Sequence, residues 1–198
     1  MMQHGSCECS KSELDVTAVP PTMTAMQEGH WTEHHPISAL NNNAPIEFII
    51  PPQTEKWTDL NQSFLYLKLK VTKADETDLE ADSNIGVVNN LFHSLFSSID
   101  LYLNNKLVTN STDTYPYRAY IGNLLSYDEH TKKTHLKALE LWQEDTAGKM
   151  QENKADSDNE GWKERTKRLG LSNSVELMGR LHLDTFLQEK YLPNGMEI

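Results

Sequence analysis

Between Phe64 and Lys73 the chain reads FLYLKLKVTK, a strict alternation that sets Leu65, Leu67, Leu69 and Val71 against Phe64, Tyr66, Lys68 and Lys70. Side chains repeat their direction every second residue only in extended backbone, so this segment reads as a strand with one face on a core. The same period returns at 98–103, where Ile99, Leu101 and Leu103 oppose Asp100, Tyr102 and Asn104. It returns again where Val175, Leu177, Leu181 and Leu183 oppose Glu176, Arg180, His182 and Asp184. The apolar run 46–50 is halted by Pro51 and Pro52, which cannot donate to a ladder, and reads as a first strand at a sheet margin. The expected core is therefore Leu65, Leu67, Leu69, Ile99, Leu101, Leu103, Val175, Leu177, Leu181 and Leu183.

Asn104-Asn105 tolerate left-handed backbone and predict a tight turn into Lys106, Leu107 and Val108. From Tyr117 the period changes: Tyr117, Tyr120, Ile121, Leu124 and Leu125 share one helix face, with Pro116 suited to the first turn. A second helical stretch is expected over 134–142. Residues 143–168 are charged and polar and read as a long surface insertion. The strand-like segments number about five or six, with no repeating strand-helix-strand unit, which favours an antiparallel sandwich over a parallel α/β sheet.

Bulk properties exclude several classes. A net charge of -11 opposes attachment to phosphate backbones or anionic membranes. No run approaches the roughly 18 apolar residues of a membrane span. The N-terminus lacks the basic flank and apolar core of a secretory signal, which points to synthesis in the cytoplasm or nucleus. Cys7 and Cys9 are the only cysteines, one residue apart in a polar tail, and read as free thiols. Residues 1–43, polar and punctuated by Pro20, Pro21 and Pro36, read as a flexible arm.

The richest segment is 87–127, dense in aromatic, aliphatic and amide side chains and nearly free of catalytic ones. Asn89, Asn90, Leu91, His93, Ser94, Leu95 and Phe96, followed by Tyr115, Pro116, Tyr117, Arg118, Ala119 and Tyr120, resemble the N-terminal part of the major capsid proteins of Polinton/Maverick elements and their adintovirus relatives. The resemblance extends through 64–71 and 179–194. It implies a mainly β, antiparallel jelly-roll sandwich with short helical insertions. That domain would be the first of two, incomplete over 44–198, with a polar and helical insertion around 128–172. It also implies a structural role in an icosahedral virion shell, with homotrimers of the full-length protein and a penton-type minor capsid protein as partners; 1–198 alone is expected to self-associate without forming that trimer. A single jelly-roll penton protein and a jelly-roll carbohydrate-binding module are the alternatives. No specific nucleic acid or membrane partner is expected.

No catalytic, cofactor or metal constellation assembles from the sequence. His30, Glu33, His34 and His35 form the one histidine cluster but lack the HExxH pattern and an apolar helix to carry it. A G-x-S-x-G elbow is absent, and Gly148-Lys149 lacks the rest of a phosphate loop. His93 reads as a packed, hydrogen-bonded residue. Lys163, Arg165, Lys167 and Arg168 read as a surface salt-bridge region. Arg118, set among Tyr115, Tyr117 and Tyr120, is expected to stack on rings or donate to a carboxylate. Elemental analysis of the purified protein is expected to find no stoichiometric transition metal; one equivalent would contradict this reading.

Overall fold

The computed structural model describes residues 28–40, 44–80, 83–110, 112–154 and 157–198. The backbone divides into a unit of residues 1–35 and a unit of residues 36–198. In the first, described residues 28–35 carry neither helix nor strand. Cys7 and Cys9 lie outside the described residues.

In the second unit the strongest alternating segments find each other across more than a hundred residues. β1 (Leu65–Leu69) pairs antiparallel with β4 (Val175–Gly179), with Leu67 opposite Leu177 and Lys68 opposite Glu176. One face of the pair is apolar; on the other, Lys68 Nζ lies 3.2 Å from Glu176 Oε1. The hairpin also forms. β2 (Tyr102–Leu103) and β3 (Lys106–Leu107) are joined by Asn104 and Asn105, both left-handed at φ 49° and 63°.

The described residues of this unit also carry five α-helical segments, with a π turn and short 3-10 turns beside them. α1 is Leu91–Ser94, and α2, Tyr115–Ser126, carries Pro116 in its first turn. α3 (Glu129–Thr131) runs through a π turn (Lys132–Leu136) into α4 (Lys137–Leu139), and α5 is Glu160–Leu169. α5 starts on a side-chain cap, Asn159 Oδ1 accepting from Trp162 N, and buries Trp162, Arg165 and Leu169. Residues 160–169 are thus part of the packed body and not a surface insertion.

Two apolar clusters result. Leu91, Phe92, Leu141, Leu169, Val175 and Leu177 form one, with Leu65, Leu67, Leu69, Val71 and Val87 packed on it. Leu101, Tyr115, Ala119 and Leu183 form the other, with Phe96, Ile99, Leu103, Leu181, Phe186 and Ile198 around it. All ten expected core residues fall in or against these clusters.

The jelly-roll sandwich does not form. Of the described residues 26% are helical and 10% are in strands, arranged as two separate two-stranded sheets. The reason lies in where extended segments place their backbone hydrogen bonds. Leu101 N donates to Thr109 Oγ1, Leu79 N to Ser172 Oγ, and the Ser172 hydroxyl to Val71 O. Hydroxyls do the work of partner strands, so an extended, one-face-buried segment needs no ladder. The expected strand at 46–50 is likewise coil with Ile46, Phe48 and Ile49 exposed; Glu47 O accepts Ile37 N, Glu47 N donates to Ser38 Oγ, and Ile50 exchanges two backbone bonds with Ile198.

Leu177 is 1% exposed at the centre of the first cluster. Leu177→Ala is expected to cost about 2–5 kcal/mol of unfolding free energy in urea titration, whereas Leu171→Ala, at an exposed position, should stay within about 0.5 kcal/mol.

Candidate functional site

The two halves of the 87–127 motif meet in a buried polar cluster wedged between the apolar clusters. α1 follows Asn90, which sits left-handed at φ 57°, a conformation asparagine tolerates better than most residues. Its amide is held by Asn89 Oδ1 at 2.9 Å, and the same oxygen accepts Gln143 N at 2.6 Å. Asn89 therefore ties the start of α1 to the chain leaving α4. This placement turns Phe92 and His93, both fully buried, into the interior.

The opposite wall comes from the end of α4. Leu141 adopts φ 57°, and Trp142 N reaches back to Leu136 O, a helix termination that normally calls for glycine. The reversal points Glu140 inward, where it is 5% exposed. A buried carboxylate must find donors. Glu140 Oε2 accepts Asn123 Nδ2 at 2.7 Å, and His93 Nε2 lies 3.2 Å away, off the line of a good hydrogen bond.

α2 supplies Tyr115, Ala119 and Asn123 on its inner face. The Tyr115 hydroxyl lies 3.0 Å from His93 Nδ1 and also accepts His182 N at 3.4 Å. Burial pushes its pKa up, so it stays protonated. The segment after β4 supplies His182, whose Nε2 is 3.0 Å from Asn123 Oδ1. The rings of His93 and His182 meet edge to face at 4.8 Å. Burial first, then the nearby His93, lower the His182 pKa from 6.5 to about 4, so this imidazole is neutral near neutral pH. Two glycines make room for the network. A Cβ on Gly122 would sit 2.7 Å from His182 Nδ1, and one on Gly179 would sit 2.7 Å from the Phe92 ring and 2.9 Å from Glu140 Oε1.

The structure sorts the motif residues into inner and outer sets. Asn90, Leu91, His93 and Tyr115 are buried, and Asn89, Phe96 and Pro116 are half-buried. Leu95, Tyr117, Arg118 and Tyr120 face outward. Arg118 does not stack on the tyrosines but grips Asp184 with both guanidinium arms, Nη2 at 2.5 Å from Oδ1 and Nη1 at 3.4 Å from Oδ2. That pairing holds the Asp184 carboxyl below its usual range. Tyr120 stacks on Trp142 at 4.9 Å. Sequence reasoning passed over Asn123, Glu140 and His182. Glu140, inside LELW, carries the one usable signal: a carboxylate set in an apolar run.

What the cluster does chemically is hold shape. Asn90, His93, Tyr115, Asn123, Glu140 and His182 are each at most 8% exposed, and the network joins α1, α2, the end of α4 and the segment after β4. Elsewhere, a cleft of about 300 Å³ between α4 and α5 is lined by Lys137, Leu141, Glu164, Arg165, Lys167 and Arg168. Its arginines are spent internally: Arg165 bonds Val87 O, Gln143 O and Asp145, and Arg168 bonds Lys137 O and Ala138 O. Arg165 is therefore a buried fastener, not part of a surface patch. Among the described residues no group of His, Cys, Asp and Glu is arranged to hold a metal, the cluster at His30 to His35 included. None of the described helices is long and apolar enough to cross a membrane.

α2 is apolar on the wrong side for a soluble monomer. At about 100° per residue, Tyr117, Tyr120, Ile121, Leu124 and Leu125 lie diametrically opposite Tyr115, Ala119, Gly122 and Asn123. The first set is exposed, Leu125 to 79% and Tyr117 to 71%.

No protein-family model matches the chain, and no solved structure matches it. An uncharacterized protein of Caenorhabditis elegans is 26% identical over 137 residues, 66% of this chain and 33% of the worm protein. The matched part of the chain thus spans about a third of that relative.

The inversion of α2 has a direct check. Asn123→Ala removes partners from both Glu140 and His182 and is expected to cost about 3 kcal/mol. Leu125→Ala on the apolar face should change stability by less than about 0.5 kcal/mol. Thermal or urea unfolding in which the leucine matters more than the asparagine would refute this assignment of faces.

Proposed function

We propose that this chain is a structural assembly protein of the capsid class, resembling the Polinton/Maverick major capsid proteins in its 89–96 and 115–120 motifs, and that it works by association of copies through the outer face of α2. The observation that carries the reading is the outward apolar stripe Tyr117, Ile121, Leu124 and Leu125. Leaving such a stripe in water forgoes about 25 cal/mol for every Å² a partner would cover, and exposed apolar patches of this kind mark interaction surfaces.

Charge distribution supports the same reading. Between 84 and 127 the acids Asp100 and Asp113 cancel the bases Lys106 and Arg118, so the whole net charge of -11 resides elsewhere. Copies of an acidic protein repel one another over most of their surface, and this neutral stretch is where they can approach. Trimers of the full-length protein, contact with a penton-type minor capsid protein and residence in a virion shell, after synthesis in the host cytoplasm or nucleus, belong to the same proposal. The missing sandwich bears on the jelly-roll alternatives and on this reading alike, so the proposal rests on the motifs and on the exposed stripe and not on the fold.

Size exclusion with light scattering tests it. The expected mass exceeds the 22.6 kDa of one chain and rises with concentration. The double variant Ile121→Glu, Leu125→Glu should return the protein to a monomer that still unfolds cooperatively, since both side chains are exposed, with a melting temperature that no longer rises with concentration. A wild-type protein that stays at 22.6 kDa at every concentration overturns the proposal.

A further inference from the structure

We infer that the outer face of the β1–β4 pair is the seat for the α2 stripe of a second copy, so that copies join helix on sheet and not helix on helix. The inference rests on the reading of α2 as an association surface and names what covers it. The side of the pair turned away from the core is not simply polar. Lys68 and Glu176 neutralise each other across the strands at 3.2 Å. Beside them Tyr66 stands directly opposite Met178, and both are exposed, Tyr66 to 55%. Phe64, next on the same face, is exposed to 43%, with the Arg180 guanidinium 5.3 Å from its ring centroid. Directly opposed apolar side chains on a solvent face offer contact area to a covering element. The inner face needs no such cover on β4, where Val175 and Leu177 are already buried in the first cluster.

The dimensions fit. α2 has twelve residues and is about 18 Å long. β1 and β4 have five each, about 17 Å of extended chain. Two strands about 4.8 Å apart, with their side chains, make a ribbon about as wide as one helix, roughly 10 Å. A helix laid on a sheet is one of the few stable layer pairings. Within one copy it cannot form here. Tyr115 and Asn123 tie α2 by its inner face to His93, Glu140 and His182, so the stripe stays turned outward and cannot roll onto its own sheet.

Charge favours this pairing over its rivals. On the sheet Lys68 is paired with Glu176 and Lys70 with Asp78, which leaves Arg180. Among the described residues Arg180 bonds Gln62 Oε1 at 3.1 Å and forms no ion pair. The seat is thus slightly positive on a chain of net charge -11. Two sheet faces brought together would add positive to positive. α2 carries the complement: its one base, Arg118, is neutralised by Asp184, and Asp113 and Asp128 flank the helix. Its C-terminal end adds the negative pole of the helix dipole. Stacking two α2 stripes would leave Tyr66 and Met178 in water, whereas the helix on the sheet covers both apolar surfaces in one contact. That contact joins unlike surfaces, and every copy carries both.

Complementation between two variants of the whole chain, read by light scattering, tests the seat. Tyr66→Glu spoils the seat and keeps the stripe; Ile121→Glu, Leu125→Glu spoils the stripe and keeps the seat. Each adds a charge that the contact would bury unpaired. Each alone should therefore need a concentration more than about a hundredfold higher than wild type to associate. Mixed in equal amounts they should form a complex of two chains and stop there, because the intact stripe of one meets the intact seat of the other and both remaining surfaces are spoiled. Tyr66→Glu protein that associates as wild type does, or a mixture that stays monomeric, overturns the seat while leaving association through α2 standing. Wild-type protein that is monomeric at every concentration removes both. Should Tyr66→Glu fail to unfold cooperatively, Met178→Glu on the neighbouring strand takes its place in the same mixture, with the same outcomes deciding.

Discussion

One buried carboxylate organises this fold. Glu140 sits where water hardly reaches, and an ionised group there is tolerable only with donors held in place from several directions. Asn123 provides the donor from α2, and His93 stands beside it from α1. Around that centre the rest is arranged: Asn89 pins α1 to the α4 exit, Tyr115 bonds His93, and His182 caps Asn123. Gly122 and Gly179 are glycine because any side chain would enter the same space. The interaction is a specifier more than a source of net stability. A carboxylate shared by two partners accepts few alternative arrangements of the four segments that deliver them.

The inversion of α2 follows from this constraint. A helix that must send a tyrosine, a glycine and an asparagine inward to meet Glu140 and His182 has its large aliphatic residues on the other side. In most soluble domains a helix turns its apolar stripe to the core. Here the stripe at Tyr117, Ile121, Leu124 and Leu125 is left for something else to cover. The polar interior and the apolar exterior are thus one feature seen from two sides.

That coupling explains what the sequence discloses and what it hides. The β1 and β4 strands, the Asn104-Asn105 turn, the Pro116-led helix and all ten core residues follow from local rules, because period and turn chemistry act within a few residues. Strand pairing does not follow from them. Alternation reports that one face is buried and says nothing about whether the backbone is satisfied by a neighbour strand or by Thr109 and Ser172 hydroxyls. The helix face at Tyr117 was legible as apolar, but its direction depends on Glu140, about twenty positions later. His182 illustrates the limit most sharply. By period it belongs to the polar set opposite Leu181 and Leu183, yet it is buried, because the strand ends at Gly179 and the alternation no longer governs.

The two faces of α2 are coupled. The stripe that would meet another copy and the asparagine that bonds His182 are carried on the same twelve-residue helix, and Arg118 at the border of the stripe grips Asp184 on the segment after β4. A packed helix moves as a rigid body and not residue by residue. Loosening its inner face therefore frees the helix to shift, and any contact built on the outer face shifts with it. Conversely, a partner that clamps the outer stripe favours the one position of α2 in which Asn123 reaches both Glu140 and His182. By linkage such a partner stabilises the closed inner network, and any change that loosens the network weakens the partner's hold.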